Sequence, residues 1–522
     1  MPAGRKDVVV LGAGFSRAVH ERFPLLTDLA REVAPRLDRW ADHSTRALVD
    51  ELATQAGLER AGETTPDSCA AAGTPRPGFD FEAWLSRIAE DQPHLDASEN
   101  LERRALFARA AIAIREVLVE AEQAAFASNQ SLAQWPYELV RVLDVRQATV
   151  ITMNYDQVIE RLATRVLRVT GGTRVGDQPP VDRAIVIDDL YDGVPPQWPL
   201  REWTRLDDKA RPFVMAGRPP IYEVDLRAVT LRLLKLHGSV SWFAAPGDPT
   251  GTTLAHWVPT VNGSEDEEQR RRDLPGREPF IVPPSTRKSP YLENPVVREL
   301  WRRARGALEG ASSLALVGYS LPATDTTFAG LLSDTVARSD APITVVNPRP
   351  GPVVEQLVRL GVDRSRIEGN EVDGDNPIAT WTHRLLDRQA GEVVRRLREL
   401  AEDAGSQQVE TVVSVHWGAS DEHRYLGGRQ VRSPGSVEGR DLVLELRPDD
   451  ARDVDPSWPL ADLRPLLEQT QRVAVDIAGH RRAIIDHQWS PAPGHGLTNT
   501  LVLFPATVPR DCASSPAPSD TQ

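Results

Sequence analysis

Five short phrases of the sequence place glycine, asparagine, aspartate, histidine and serine where an apolar run stops. They are GAGFS (Gly12–Ser16), NYD (Asn154–Asp156), LHGS (Leu236–Ser239), GYSLPATD (Gly318–Asp325) and the Asn347 that ends PITVVN. Gly12 and Gly14 would let the backbone approach a pyrophosphate, whose charge suits the N-terminus of a following helix. The phrase is not the usual dinucleotide fingerprint, because Arg17 stands where GxGxxG has its third glycine. His237 could serve as a general base near neutral pH. Asn154 is neutral and could orient a water or a sugar hydroxyl, and Asp156 could cap the turn that follows. Singly, each has a plainer reading: a tight turn, a histidine satisfied by backbone, an asparagine that caps a helix.

The elements that must position these residues are legible around them. DVVVL (Asp7–Leu11) is a continuous apolar run, the pattern of a strand buried on both faces of a parallel sheet. ATVITMNYD, LRLLKLHGSVSWF, SSLALVGYS and PITVVNP read as further strands, each ending in one of the polar turns. Helices are expected near Pro295–Glu309 and from about Thr326, and strands alternating with helices predict a Rossmann-like, doubly wound parallel sheet. In such a sheet ligands bind at the carboxyl ends of the strands, at the topological switch point. Five turns distant in sequence would then meet at one crevice.

The rest divides as follows. Residues 1–385 form the α/β unit, with a helical insertion at about 80–145 and loop insertions at about 168–230 and 244–278. Within the helical insertion, FDFEAWLSRI opens one helix and Asn100–Ser128 continues another. There Phe107, Ala111, Ile114 and Leu118 recur at helical spacing as a core stripe, with Arg109, Arg115, Glu116 and Glu120 between or beside them. Thr64–Phe79 is low-complexity, and SEDEEQRRRD reads as a solvated loop. Asp387–Ala404 predicts a charged connector helix within 386–405. A smaller β-rich domain of unknown role follows over 406–507, from TVVSVHWG, LVLELRP, RVAVDIAG, AIIDHQWS and LVLFP, with ADLRPLLEQT as its one helix. Residues 508–522 read as a disordered tail.

Composition narrows the function. The 522 residues carry a formal net charge of −14, which provides no general attraction for nucleic acid or an anionic membrane. No apolar run is long enough to span a bilayer, and the first residues lead straight into a strand, so a cytoplasmic protein is expected. The two cysteines, Cys69 and Cys512, exclude a disulfide scaffold and a zinc site of paired CxxC ligands. His416, His423, His480 and His487 are scattered without tight ligand spacing, and no metal is assigned to them.

The ordered set GAGFS, NYD, LHG, GYS and VVNP resembles the Sir2 (sirtuin) superfamily over roughly residues 7–365, and FDFEAWLSRI, KLHGSVSW and GYSLPATD look like its bacterial SIR2-like branch. The resemblance implies that NAD is bound and its nicotinamide–ribose bond cleaved. By it, Gly12, Ala13, Gly14, Phe15 and Ser16 would line the phosphates and the nicotinamide pocket. Asn154 and Asp156 match the family's Asn-x-Asp on the nicotinamide and ribose side, and His237 matches its catalytic histidine. Gly318 and Ser320 match its Gly-x-Ser, and Asn347 the asparagine that holds the adenosine ribose.

Two departures matter. The Pro-Asp-Phe-Arg segment of the protein deacetylases is absent after GAGFS, and two cysteines cannot build their four-cysteine zinc module. The expectation is therefore an NAD hydrolase of the bacterial anti-phage type, without zinc. It would be oligomeric and answer to a phage-derived or operon-encoded activator. The alternatives are an NAD-dependent protein deacylase or ADP-ribosyltransferase, and a non-catalytic NAD or ADP-ribose sensor.

Overall fold

The structure is a computed structural model that describes residues 6–58, 79–127, 132–164, 167–168, 183–184, 187–188, 231–245, 255–256, 278–282, 294–322, 325–405, 410–416, 428–431, 433–445, 457–477, 480–490 and 499–506. Both cysteines, His423, the charged 264–273 segment, most of both loop insertions and the 508–522 tail lie outside the described residues.

The first part of the chain forms strands β1 (Lys6–Leu11), β2 (Thr149–Thr152), β3 (Ile187–Asp188), β4 (Leu231–Lys235), β5 (Gly238–Ala244), β6 (Glu278–Ile281), β7 (Ala311–Val317), β8 (Ile343–Val346) and β9 (Glu371–Val372). Seven of them make one sheet in the order β9-β8-β7-β1-β2-β4-β3, and every pairing in it is parallel. The chain fills one side of β1 with β2, β3 and β4, then crosses to fill the other with β7, β8 and β9. The winding reverses between β1 and β7. The buried strand expected at DVVVL follows period two. Val9 and Leu11 enter one core and Val8 and Val10 the other, which a strand covered on both faces requires.

The helices are α1 (Ala13–Val19), α2 (Leu26–Asp38), α3 (Arg46–Gln55), α4 (Phe81–Ala89), α5 (Ala97–Phe126), α6 (Trp135–Val145), α7 (Val158–Thr164), α8 (Pro295–Glu309), α9 (Thr326–Thr335), α10 (Pro350–Arg359) and α11 (Pro377–Gly405). Apolar residues of α1, α6, α7 and the front of α11 cover one face of the sheet, and those of α8, α9 and α10 cover the other. This mixed α/β layering is compatible with the doubly wound arrangement expected.

The helical insertion is wider than its sequence signal. It also draws in α2 and α3, which pack with α4 and α5 in a core of their own, whereas α6 packs on the sheet. Helix α5 starts earlier than Asn100 because Asp96 and Glu99 form a reciprocal cap at its first turn. Its stripe of Phe107, Ile114 and Leu118 is core, as expected. Arg115, expected among the charged residues flanking that stripe, is buried instead. Its guanidinium donates to the Val240 carbonyl at 3.0 Å and sits over the Phe243 ring.

The connector helix begins at Pro377, ten residues before the expected start at Asp387. Its first half places Ile378, Trp381 and Leu385 in the parallel sheet's core. Its second half places Val393, Leu397 and Ala401 in the core of a second sheet. That sheet has eight strands, mixed in direction, and includes all five strand segments expected after residue 406. ADLRPLLEQT is a 3-10 turn, Leu460–Leu463, running into a short helix, Arg464–Glu468.

The junction of β1 with β7 depends on glycine. Gly318 has φ +59°, and a Cβ there would lie 2.3 Å from the Phe15 nitrogen. Replacing Gly318 with alanine is expected to destabilise the protein by about 3 kcal/mol through combined strain and overlap. Gly306→Ala, on an exposed turn of α8 with nothing within 4 Å of the new Cβ, should stabilise by about 0.5–1 kcal/mol. Urea unfolding of both variants checks the pair. Equal effects would remove the junction's claimed tightness.

Candidate functional site

The parallel register brings the sequence phrases to one edge. Leu11 aligns with Thr152 on one side and with Val317 on the other; Thr152 aligns with Lys235 and Val317 with Val346. The five strands β8, β7, β1, β2 and β4 therefore end level. The residues that follow them are the GAG, NYD, LHG, GYS and Asn347 turns.

At the switch point the turns touch. Gly12 N–H donates to the Val317 carbonyl, and Gly14 N–H to the Gly318 carbonyl at 2.9 Å. A Cβ on Gly12 would come within 2.6 Å of the Tyr319 Cα, and one on Gly14 within 2.7 Å of the Gly318 oxygen. Ala13 is exposed at the start of α1, and Ser320 is exposed in the turn after β7. Phe15 goes elsewhere. Its ring is buried in the sheet's core, edge-on to Trp135 at 6.2 Å. Asn347 directly follows β8, and its Oδ1 accepts from the Arg349 N–H and closes the turn into α10.

Behind the glycines lies a chain of side-chain hydrogen bonds. Asn154 Nδ2 donates to the Gly12 carbonyl and to Ser16 Oγ, both at 3.0 Å, and Ser16 Oγ donates to Asp156 Oδ2 at 2.6 Å. A carbonyl can only accept, so the Asn154 amide nitrogen must face inward. Its Oδ1 is then the end of the side chain left for a ligand. Asp156 is buried, and its other oxygen accepts from the Val158 N–H. Burial pushes this carboxyl up to about 6, against the opposing pull of Lys235 and the Ser16 hydroxyl.

Sequence reasoning missed Lys235, although it precedes the LHG phrase. It is buried, donates to the Asp156 backbone carbonyl, and pairs with Glu160 at 2.9 Å. Glu122 of α5 joins the same cluster, accepting from the Gln157 N–H at 2.7 Å and from Arg161 at 3.0 Å. Ion pairs taken this far from water add little net stability over apolar packing. They do fix the NYD turn against β4 and α7. The available sequence signal was a lysine at the end of a leucine-rich strand, directly before the LHG phrase.

His237 is buried at the end of β4. Expected at a turn that ends a strand, it stands at such a corner. The chain turns at Gly238, φ +80°, and continues as β5, which pairs antiparallel with β6. The Val282 N–H donates to the His237 carbonyl at 2.7 Å, and the Tyr155 hydroxyl to the Val282 carbonyl at 2.6 Å. The imidazole centroid is 6.4 Å from the Tyr155 ring and 6.4 Å from the Trp301 ring, with its Nε2 3.9 Å from Asp325 Oδ2.

No protein-family model matches the chain, and no curated protein matches it either. Among the described residues, no three His, Cys, Asp or Glu side chains are grouped to hold a metal ion, and no helix is long and apolar enough to cross a membrane.

The position of Asp156 predicts a pH dependence. Its folded-state value, about 6, lies above the 3.8 of a free carboxyl. The folded protein therefore holds this proton longer than the unfolded chain. The resulting stability is full below about pH 4 and lost as pH rises through about 6, by up to about 3 kcal/mol. Asp156→Asn should remove that decline. Urea midpoints from pH 4 to 7 for both proteins are the check, and an equal decline in the variant would exclude Asp156 as its source.

Proposed function

We propose that the protein binds NAD along the carboxyl edge of its parallel sheet and cleaves the nicotinamide–ribose bond, by hydrolysis to nicotinamide and ADP-ribose or by closure of the ADP-ribosyl group to a cyclic product. The observation that carries this reading is the in-register convergence of the five turns at the topological switch point. Open parallel sheets bind nucleotides there. Gly12 and Gly14 let the β1 turn pack directly on the β7 turn and bring the start of α1 to that edge, which suits the charge of a pyrophosphate. The phrases along this edge are the ones that carry the resemblance to SIR2-like domains.

The chemistry asks for little acid catalysis. Nicotinamide leaves as a neutral ring from a pyridinium, so the demand is to stabilise positive charge on the ribose and to bring water to it. Asn154 is preorganised for this role. With its amide nitrogen fixed by Gly12 and Ser16, its Oδ1 can accept from a ribose hydroxyl or the attacking water. His237 takes a proton from the same hydroxyl or water. Asp156 acts from behind, holding Ser16 and the turn rather than the nicotinamide.

The resemblance further implies a cytoplasmic effector of anti-phage defence, held in check until triggered. The second sheet, joined through α11, is the region where assembly or an activator would act.

Incubating the purified protein with NAD alone, with nicotinamide and ADP-ribose followed by chromatography, tests the hydrolase. Wild-type release that falls at least about a hundredfold in Asn154→Ala and His237→Ala, both still folded, is the expected result. Wild-type turnover in both variants overturns the assignment. Release only with a peptide or protein acceptor would mark a deacylase or ADP-ribosyltransferase, and binding without consumption a sensor.

A further inference from the structure

We infer that Asp325 is the positioning carboxylate of His237, and that Tyr319 links this pair to the glycine junction. The inference rests on the proposed role of His237 as the proton acceptor. Both partners are buried, and Asp325 Oδ2 stands 3.9 Å from His237 Nε2. That is beyond a hydrogen bond but well inside the range where an opposite charge favours the imidazolium. A small rotation of the ring on protonation would close the gap.

The carboxylate is held from two other directions. The Tyr319 hydroxyl donates to the same Oδ2 at 2.9 Å. Asp325 Oδ1 accepts from the Phe328 N–H and so caps α9. Tyr319 is itself buried, and burial together with the Asp325 charge holds its hydroxyl well above the usual phenol range. It therefore stays a donor across the working pH range. Tyr319 directly follows Gly318, and its Cα presses on Gly12. The chain Gly12–Tyr319–Asp325–His237 thus connects the glycine junction with the proposed base.

Among the described residues, rings and backbone also face His237. From α8 it meets the Trp301 ring, whose indole N–H donates to the Leu236 carbonyl at 3.3 Å. From the β2 turn it meets the Tyr155 ring, and from the end of β6 the Val282 backbone. Lys235, two residues earlier, is paired with Glu160. Glu82, in the first turn of α4, adds a negative influence at Tyr319. Among the described residues, Asp325 is the carboxylate paired with the His237 imidazole.

The test reads the imidazole directly. The full-length protein is labelled at histidine, the His237 resonance is assigned by its loss in His237→Gln, and its pKa is followed by NMR in two variants. Asp325→Asn keeps the α9 cap and removes the charge, so the His237 pKa should fall by about one pH unit. Tyr319→Phe removes the donor that competes for Oδ2, so the pKa should rise. Opposite shifts are the signature of the pair, since loss of structure alone would not move the two variants apart. An unchanged pKa in Asp325→Asn, or a fall in both variants, overturns the inference. The readout needs no NAD. A protein that shows the two shifts but consumes no NAD keeps the pair and loses the hydrolase reading, and the converse result does the reverse.

Discussion

The site depends on one contact: the backbone of the β1 turn lying directly against the backbone of the β7 turn. Neighbouring strands of a sheet are held at their ordinary spacing by hydrogen bonds, but the turns beyond them usually splay apart. Here they do not. Gly14 donates to the Gly318 carbonyl, Gly318 adopts a left-handed φ, and no Cβ stands between them. The two halves of the winding separate at this point, so without the contact the crevice would open between two independently mobile loops. With it, Gly12, Asn154 and Ser16 are tied to the same rigid strand ends. The catalytic reading inherits that rigidity, because an amide that orients water is useful only if it is fixed in advance.

A second constraint supports the first from behind. Asp156, Lys235, Glu160, Glu122 and Arg161 are polar groups placed where an apolar core would be cheaper. Their hydrogen bonds reach the Asp156 carbonyl and the Gln157 N–H, both in the NYD turn. They also connect three elements distant in sequence: α5, the β2–α7 turn and β4. The helical insertion, which could be taken for decoration on the sheet, supplies Glu122 to this cluster and Arg115 to the start of β5. It is thereby part of what holds His237 and Asn154 in place.

What the sequence made legible follows from period and punctuation. DVVVL followed by GAG announces a buried strand and a tight turn, and the structure has both. The turns at Asn154, His237, Gly318 and Asn347 were readable in the same way, and parallel register then aligns them. Less legible was everything set by tertiary contact. Arg115 sits beside a helical core stripe and is nevertheless buried, because the Val240 carbonyl and the Phe243 ring from distant β5 receive it. Phe15 belongs to a ligand-facing phrase yet fills core space against Trp135. Asp325 closes the GYSLPATD phrase with no role of its own legible there, and only folding brings it to His237. In each case the deciding partner is more than eighty residues away, beyond the reach of local pattern.

The longest-range consequence concerns α11. A helix of charged composition between two sheets reads as a connector, yet its apolar residues divide between two cores, Trp381 and Leu385 in one and Val393 and Leu397 in the other. The same helix carries Gln389. Its Nε2 donates to the Ile485 carbonyl of the second sheet, and its Oε1 accepts from Arg146, which in turn pairs with Asp7 at 2.5 Å. Asp7 is the second residue of β1, the strand whose other end carries GAG. A tilt of α11 would act on both cores at once, because a packed helix moves as a unit and close-packed interiors transmit strain. The second sheet is thus mechanically continuous with the strand that leads to the glycine junction, and a ligand or partner on that sheet would need no separate route to influence the site.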